Sequence, residues 1–179
     1  MDAIIAAHDD NIQMIDSTSH PGASTSCYGK KGDRDHCLGR SRGGLTTKIH
    51  AGVDAQRLPI RLGLTPGQAH DGPVAYRLLD RLDPRIIVLA DKVHDADGIR
   101  SLIEAKGAVP NIPAKSNHKW KLCFSKGFYR ERNLVERFFS KLKHFRRIAT
   151  RYDKLAPNFL AMTQLASMRP WFRADESTT

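Results

Sequence analysis

Apolar and polar positions along this chain fall into blocks whose period changes from two to three or four and back. Residues 11–15 (NIQMI) read as a short strand ending at Asp16. Residues 45–53 and 58–64 read as two strands joined by the polar turn Asp54-Ala55-Gln56-Arg57, with Thr65-Pro66-Gly67 closing the second. Val74, Leu78, Leu79 and Leu82 then follow helical spacing. Residues 85–90 (RIIVLA) are apolar without alternation, as in a strand buried on both faces. Residues 96–106 predict a helix stopped by Gly107, and residues 109–112 a further strand. A long helix is predicted over 129–148, with Leu134, Val135, Phe138, Leu142 and Phe145 toward the core, and a last amphipathic helix over 158–172. Strands alternating with helices predict an α/β fold, a mixed sheet flanked by helices.

The rest of the chain sets the boundaries. Residues 19–44 are rich in Ser, Gly, Lys and Arg and predict a mobile loop. Residues 1–10 and 174–179 read as tails around one domain, 11–173, and 179 residues suit a single core. No apolar run approaches the length of a membrane span. Three cysteines, odd in number and irregularly spaced, argue against a disulfide framework and for a reducing, cytoplasmic setting.

Charge narrows the class of partner. The net charge is +10, from 29 Lys and Arg against 19 Asp and Glu. Residues 115–154 hold 13 of the basic and 3 of the acidic residues, so this segment carries the whole surplus. A concentration of that kind points to a polyanion, with nucleic acid first in line. The alternative is a solvated face on a basic protein.

The predicted long helix carries the sharpest chemical pattern. Tyr129, Arg132, Glu136 and Lys143 are spaced Y-x2-R-x3-E-x6-K. On a regular helix these four fall within a stripe about 60° wide, away from the apolar side. They read either as a functional face or as a helix exterior laced with ion pairs. Asp16 at the end of a strand suits a carboxylate projected into a site, or an acid capping a turn. Asp91 closes the buried 85–90 strand, where α/β sheets place ligands. Asp95 and Asp97 follow it as rival ligands, Asp97 being better suited to the start of the next helix. The segment Gly39-Arg40-Ser41-Arg42-Gly43-Gly44 reads either as a phosphate cradle with two arginines or as a plain turn, and it lacks the P-loop lysine pattern. His20, Cys27, His36 and Cys37 lack the paired spacing of a structural zinc site.

The Y-x2-R-x3-E-x6-K spacing resembles the signature of DDE transposases from bacterial insertion sequences. ERNLVERFFSKLKHFRRIATRYDK, LGRSRGGLTTKIHAGVDA and LTPGQAHD are similar to blocks of the same family, and the likeness runs from Met14 to the last helix. The resemblance implies a ribonuclease H-like fold and a catalytic triad of Asp16, Asp91 and Glu136 that holds Mg²⁺, with Mn²⁺ as substitute. It implies cleavage and strand transfer of DNA at element ends and target, with Arg132 and Lys143 holding phosphates and Tyr129 near the cleavage point. Arg147 of the basic segment and Arg40 and Arg42 of the glycine-rich segment complete the expected DNA-binding set. A homo-oligomer on DNA, an upstream reading-frame half and a nucleoid-associated location are the corresponding expectations. A stand-alone nuclease is a further reading.

Two departures qualify the resemblance. The family's second motif, D-x-G-Y-D, maps onto Asp91 to Asp95 with Val93 and His94 in place of Gly and Tyr. If that glycine serves a positive φ, valine there is strained by about 1–3 kcal/mol. Pro170 inside the last apolar helix is the second oddity. Both predict a slow or impaired copy, and the alternative function is a remnant that retains DNA binding only.

Overall fold

The computed structural model describes residues 11–23, 36–116 and 123–176, with side chains through residue 169. The expected tail 1–10, the centre of the expected loop (24–35) and residues 177–179 lie outside the described residues.

Six strands form one mixed sheet: β1 (Ile12–Pro21), β2 (Gly39–Ser41), β3 (Gly44–Asp54), β4 (Pro59–Pro66), β5 (Ile87–Ala90) and β6 (Val109–Asn111). Its order is β2-β3-β1-β5-β6, with β4 paired beside β2 on the outer side of β3. β1 and β3 are antiparallel, whereas β1, β5 and β6 run parallel. The helices are α1 (Gly72–Leu78), α2 (Asp97–Ala105), α3 (Lys126–Arg130), α4 (Asn133–Lys143), α5 (Arg146–Ala149) and α6 (Ala156–Glu176).

Strand alternation sorts the core into two layers. Ile12 and Met14 of β1, Ile49, Ala51 and Val53 of β3, and Ile87 and Leu89 of β5 pack against Val135, Phe138, Phe139 and Leu142 of α4 and Phe159 of α6. Ile15, Val88 and Ala90 face the other way, onto Val74, Ala75 and Leu78 of α1 and Ile99 and Ile103 of α2. The four residues of β5 are all buried, two on each face, as the unbroken apolar run predicts.

Several expectations change. β1 does not stop at Asp16 but continues to Pro21, and Gly39–Ser41 is a strand, so both ends of the supposed loop are sheet. Arg42-Gly43 is the turn of the β2–β3 hairpin, closed at Gly44 by φ +92°, which glycine tolerates. The long helix is three pieces: it breaks at Glu131-Arg132 and again at Phe145, whose φ −82° and ψ 109° are extended. α6 runs unbroken through Pro170. No helix among the described residues is long and apolar enough to cross a membrane.

Candidate active site

Pairing register, not chain proximity, brings the first two acids together. In the parallel ladder Ile15 faces Ala90, the last pair of β1 with β5. Asp16 and Asp91 come next on their strands, about one strand spacing (~4.8 Å) apart at the backbone. Both side chains fall on the face covered by α4, because Asp16 keeps the parity of Met14, and Asp91 that of Leu89. Asp91 is extended, with φ −73° and ψ 159°, and its Oδ1 accepts from the Lys92 amide at 2.6 Å. Asp16 Oδ1 likewise accepts from the Ser17 amide at 2.8 Å.

α3, α4 and the turn between them bring up the third element. Arg132, in that turn, donates from Nη2 to Asp16 Oδ2 at 2.8 Å and sits 3.4 Å through Nη1 from Glu136 Oε1. The Tyr129 hydroxyl lies 3.5 Å from both Asp91 Oδ1 and Arg132 Nη1, long contacts for hydrogen bonds. Asp16, Asp91, Tyr129, Arg132 and Glu136 therefore form one chain of polar contacts. Burial works against the Arg132 charge, yet Asp16, helped by Tyr129, holds the guanidinium above its ordinary pKa. The Glu136 side chain is 56% exposed, against 15% for Asp16, so the third acid stands at the open side.

Among the described residues no three His, Cys, Asp or Glu side chains stand close enough to form a ready-made metal site. The donor set still suits a hard divalent cation, which prefers carboxylate oxygen. The place between Asp16 and Glu136 already holds a positive group, the Arg132 guanidinium.

The remaining sequence candidates divide. Lys143 on α4 and Arg147 on α5 are exposed, as are Arg40 and Arg42 at the β2–β3 hairpin, which lies some five residues along β3 from the partner of Asp16. Asp95 is not free to act as a ligand. It is buried, paired with Arg100 at 2.7 Å, and its Oδ2 accepts from the Lys115 amide at 2.7 Å. Asp97 opens α2 as a first-turn acid. His20 is buried under α5, His36 is hydrogen-bonded to the Lys154 carbonyl, and Cys27 lies outside the described residues.

The strain expected at Val93 is absent. Lys92–His94 form a 3-10 turn, and Val93 is not among the residues with positive φ, which are Cys37, Arg57 and Arg85 besides glycines. A 3-10 turn uses ordinary negative φ, which valine accepts, and the Val93 side chain is 55% exposed. His94 turns inward instead. It is buried, its Nδ1 makes no hydrogen bond, and burial lowers its pKa despite the nearby charges of Asp71, Asp16 and Asp91.

Two features carried no readable local signal. Arg151, counted in the basic segment, is fully buried and bonds Thr47 Oγ1 at 2.6 Å and the Asp153 and Lys154 carbonyls at 2.9 Å. Asn111 clamps Ser125 through its side-chain amide, Oδ1 accepting from the Ser125 N–H at 2.8 Å and Nδ2 donating to the Ser125 carbonyl at 3.1 Å, and so anchors the start of α3, which carries Tyr129.

This geometry has counterparts among known proteins. Residues 7–122 match the family model of the transposase DDE domain, a stretch that includes Asp16 and Asp91 and stops short of Glu136. A Brucella ovis protein bearing the name of a transposase for insertion sequence element IS6501 is 39% identical over 136 residues, 72% of this chain and 100% of that protein. Among solved structures, the piggyBac transposase in a synaptic complex with hairpin DNA superposes with TM-score 0.54 at 10% identity over 94% of this chain. The Mos1 strand transfer complex does so with TM-score 0.51 at 16% identity over 97%. The chain spans about half of those two proteins, 48% and 50%, and the likeness to them concerns the fold, which is ribonuclease H-like. Family model and relative together show that the chain belongs to the DDE transposases of insertion sequences.

Proposed function

We propose that this chain cuts and rejoins DNA during movement of an insertion sequence, with Asp16, Asp91 and Glu136 as the metal-holding acids. The observation that carries the reading is that Asp16 and Asp91 directly follow the last register pair of β1 and β5, Ile15 with Ala90, and are faced by Arg132 from the α3–α4 turn and by Glu136 from α4. Mg²⁺, or Mn²⁺ in its place, supplies when bound an activated water and stabilisation of charge on the phosphoryl and leaving oxygens. The balance of bonds is simple. Attack of water on phosphorus at the element end breaks the P–O3′ bond and frees a 3′ hydroxyl. That hydroxyl then attacks a target phosphodiester, so one P–O bond forms as another breaks.

The chain's own groups bind and orient. Arg132, held in the site by Asp16, is placed to turn its remaining N–H groups to a phosphate. Tyr129 borders the same space between Asp91 and Arg132. Lys143, Arg147, Arg40 and Arg42, all exposed, supply phosphate contacts that set affinity rather than sequence preference. The piggyBac structure is a synaptic complex, and we extend to this chain a pairing of copies on DNA.

The test is cleavage of a duplex carrying the element's end in Mg²⁺ and Mn²⁺, followed by joining of a pre-cut end to target DNA. Asp16→Asn, Asp91→Asn and Glu136→Gln should each abolish both steps while DNA binding survives. Parental cleavage in any of the three would remove that residue from the set. Cleavage without joining would reduce the reading to a nuclease. The remnant reading drew on strain at Val93, and the backbone gives it no support there.

A further inference from the structure

On the sheet face turned away from α4, directly behind Asp16, lies a charged group to which the reading above gives no role. Asp71 occupies the N-cap position of α1, where an aspartate ordinarily bonds first-turn amides, but its side chain makes no capping bond. Its carboxylate is turned to the sheet. Oδ1 accepts from Lys48 Nζ of β3 at 2.8 Å, and Oδ2 accepts from Ser17 Oγ of β1 at 3.1 Å. Lys48 Nζ also donates to the Ala69 carbonyl at 2.8 Å. The ion pair is only 20% and 11% exposed, so both charges give up most of their hydration to be there.

What this group holds is the segment of β1 that bears Asp16. The β5 ladder ends at Ile15 and Ala90, so at Asp16 and Ser17 the strand keeps β3 on one side and has lost β5 on the other. Ser17 bridges the two faces. Its amide donates to Asp16 Oδ1 at 2.8 Å, and its hydroxyl donates to Asp71 Oδ2. A shift of Ser17 therefore moves a direct hydrogen bond of the Asp16 carboxylate.

We propose that Asp71, acting through Ser17 with Lys48 as its counter-charge, is a positioning residue that fixes the Asp16 carboxylate where β1 outruns β5. The inference rests on the reading of Asp16 as a metal-holding acid. Groups that orient a ligand without touching the metal typically change metal affinity or activity by about 10–100-fold when removed.

The experiment measures Mn²⁺ binding to the full chain by titration calorimetry, together with the Mn²⁺ concentration for half-maximal cleavage. Ser17→Ala removes the link and leaves the ion pair in place, so its melting temperature should stay close to the parent's. It should bind Mn²⁺ about 10–100-fold more weakly, and Asp71→Asn should do the same. Ser17→Thr, which keeps the hydroxyl, should restore parental binding. Parental Mn²⁺ affinity in Ser17→Ala, alongside lost affinity in Asp16→Ala, would overturn the positioning role and leave the acid assignment standing. Parental affinity in Asp16→Ala would overturn the acid assignment, and the inference with it.

Discussion

Arg132 Nη2 lies 2.8 Å from Asp16 Oδ2, a bond between residues 116 positions apart that ties the turn between α3 and α4 to the middle of β1. The guanidinium occupies an oxygen that a divalent ion would need. Arg132→Ala should therefore leave Mn²⁺ affinity equal to the parent's or tighter, while cleavage falls by about 100–1,000-fold through loss of a phosphate contact. Titration calorimetry alongside a cleavage assay separates the two effects. A tenfold loss of Mn²⁺ affinity would mean that Arg132 orients Asp16 rather than competing for it.

Asp91 and Asp95, four positions apart, should answer mutation in opposite ways. Asp95→Ala strands Arg100 in the interior and is expected to cost about 3–5 kcal/mol in urea unfolding. Asp91→Ala removes an acid at the C-terminal end of β5 and should leave stability nearly unchanged while abolishing cleavage. Equal stability of the two variants would contradict the burial assigned to Asp95.

Acid should weaken the fold through two histidines. Burial lowers both His20 and His50 to about 4, in His20 against the Ile148 and Ala149 carbonyls and in His50 against the Asp71 charge. Below pH 6.5 the unfolded chain takes up protons that the folded chain refuses. Stability is then fully present above about pH 6.5, declines as pH falls, and is lost in full below about pH 4. The loss is up to about 3 kcal/mol per histidine. Melting temperatures from pH 7.5 to 4 check this, and His20→Gln and His50→Gln should each flatten the decline.

Val93→Gly should leave cleavage within about twofold of the parent, since the 3-10 turn asks nothing of glycine. A glycine there adds backbone freedom and should lower stability by about 0.5–1 kcal/mol. A rise in cleavage of tenfold or more would show that valine distorts the turn in the active complex.

DNA affinity should fall steeply with salt as basic side chains displace condensed counterions. Lys143→Ala and Arg147→Ala should each flatten the log–log slope by about one unit. Arg151→Met should leave the slope unchanged and lower the melting temperature, because that arginine is enclosed by Thr47, Asp153, Lys154 and the Phe159 ring. A flat slope in the parent would count against phosphate contacts by α4 and α5.

Local pattern was enough for the elements whose period is set by a single buried face. Alternation and continuous apolar runs located β3, β4, β5 and α2 to within a few residues, and the spacing of Val135, Phe138 and Leu142 marked the inner side of α4. Asp16, Asp91 and Glu136 stood out because each sits at a recognisable place in such an element or motif. Tertiary structure decided what joins them. The β1–β5 register that sets Asp16 beside Asp91 links segments more than seventy residues apart, and only closure of the core between the helices selects it. The interruption of α-helical hydrogen bonding at Glu131-Arg132 leaves the apolar spacing intact and so leaves no trace in it, and the bond from Arg132 to Asp16 spans elements that no local pattern connects. The ordinary backbone at Val93 was equally hidden, since valine is accepted by a 3-10 turn and only the folded backbone shows that no positive φ is required there. Arg151 counts as a surface charge in composition, yet packing encloses it, and Asp71, at the N-cap position of α1, bonds Ser17 and Lys48 of the sheet and none of the helix amides. A charged side chain's role depends on which distant groups reach it, and neighbours in sequence do not carry that information.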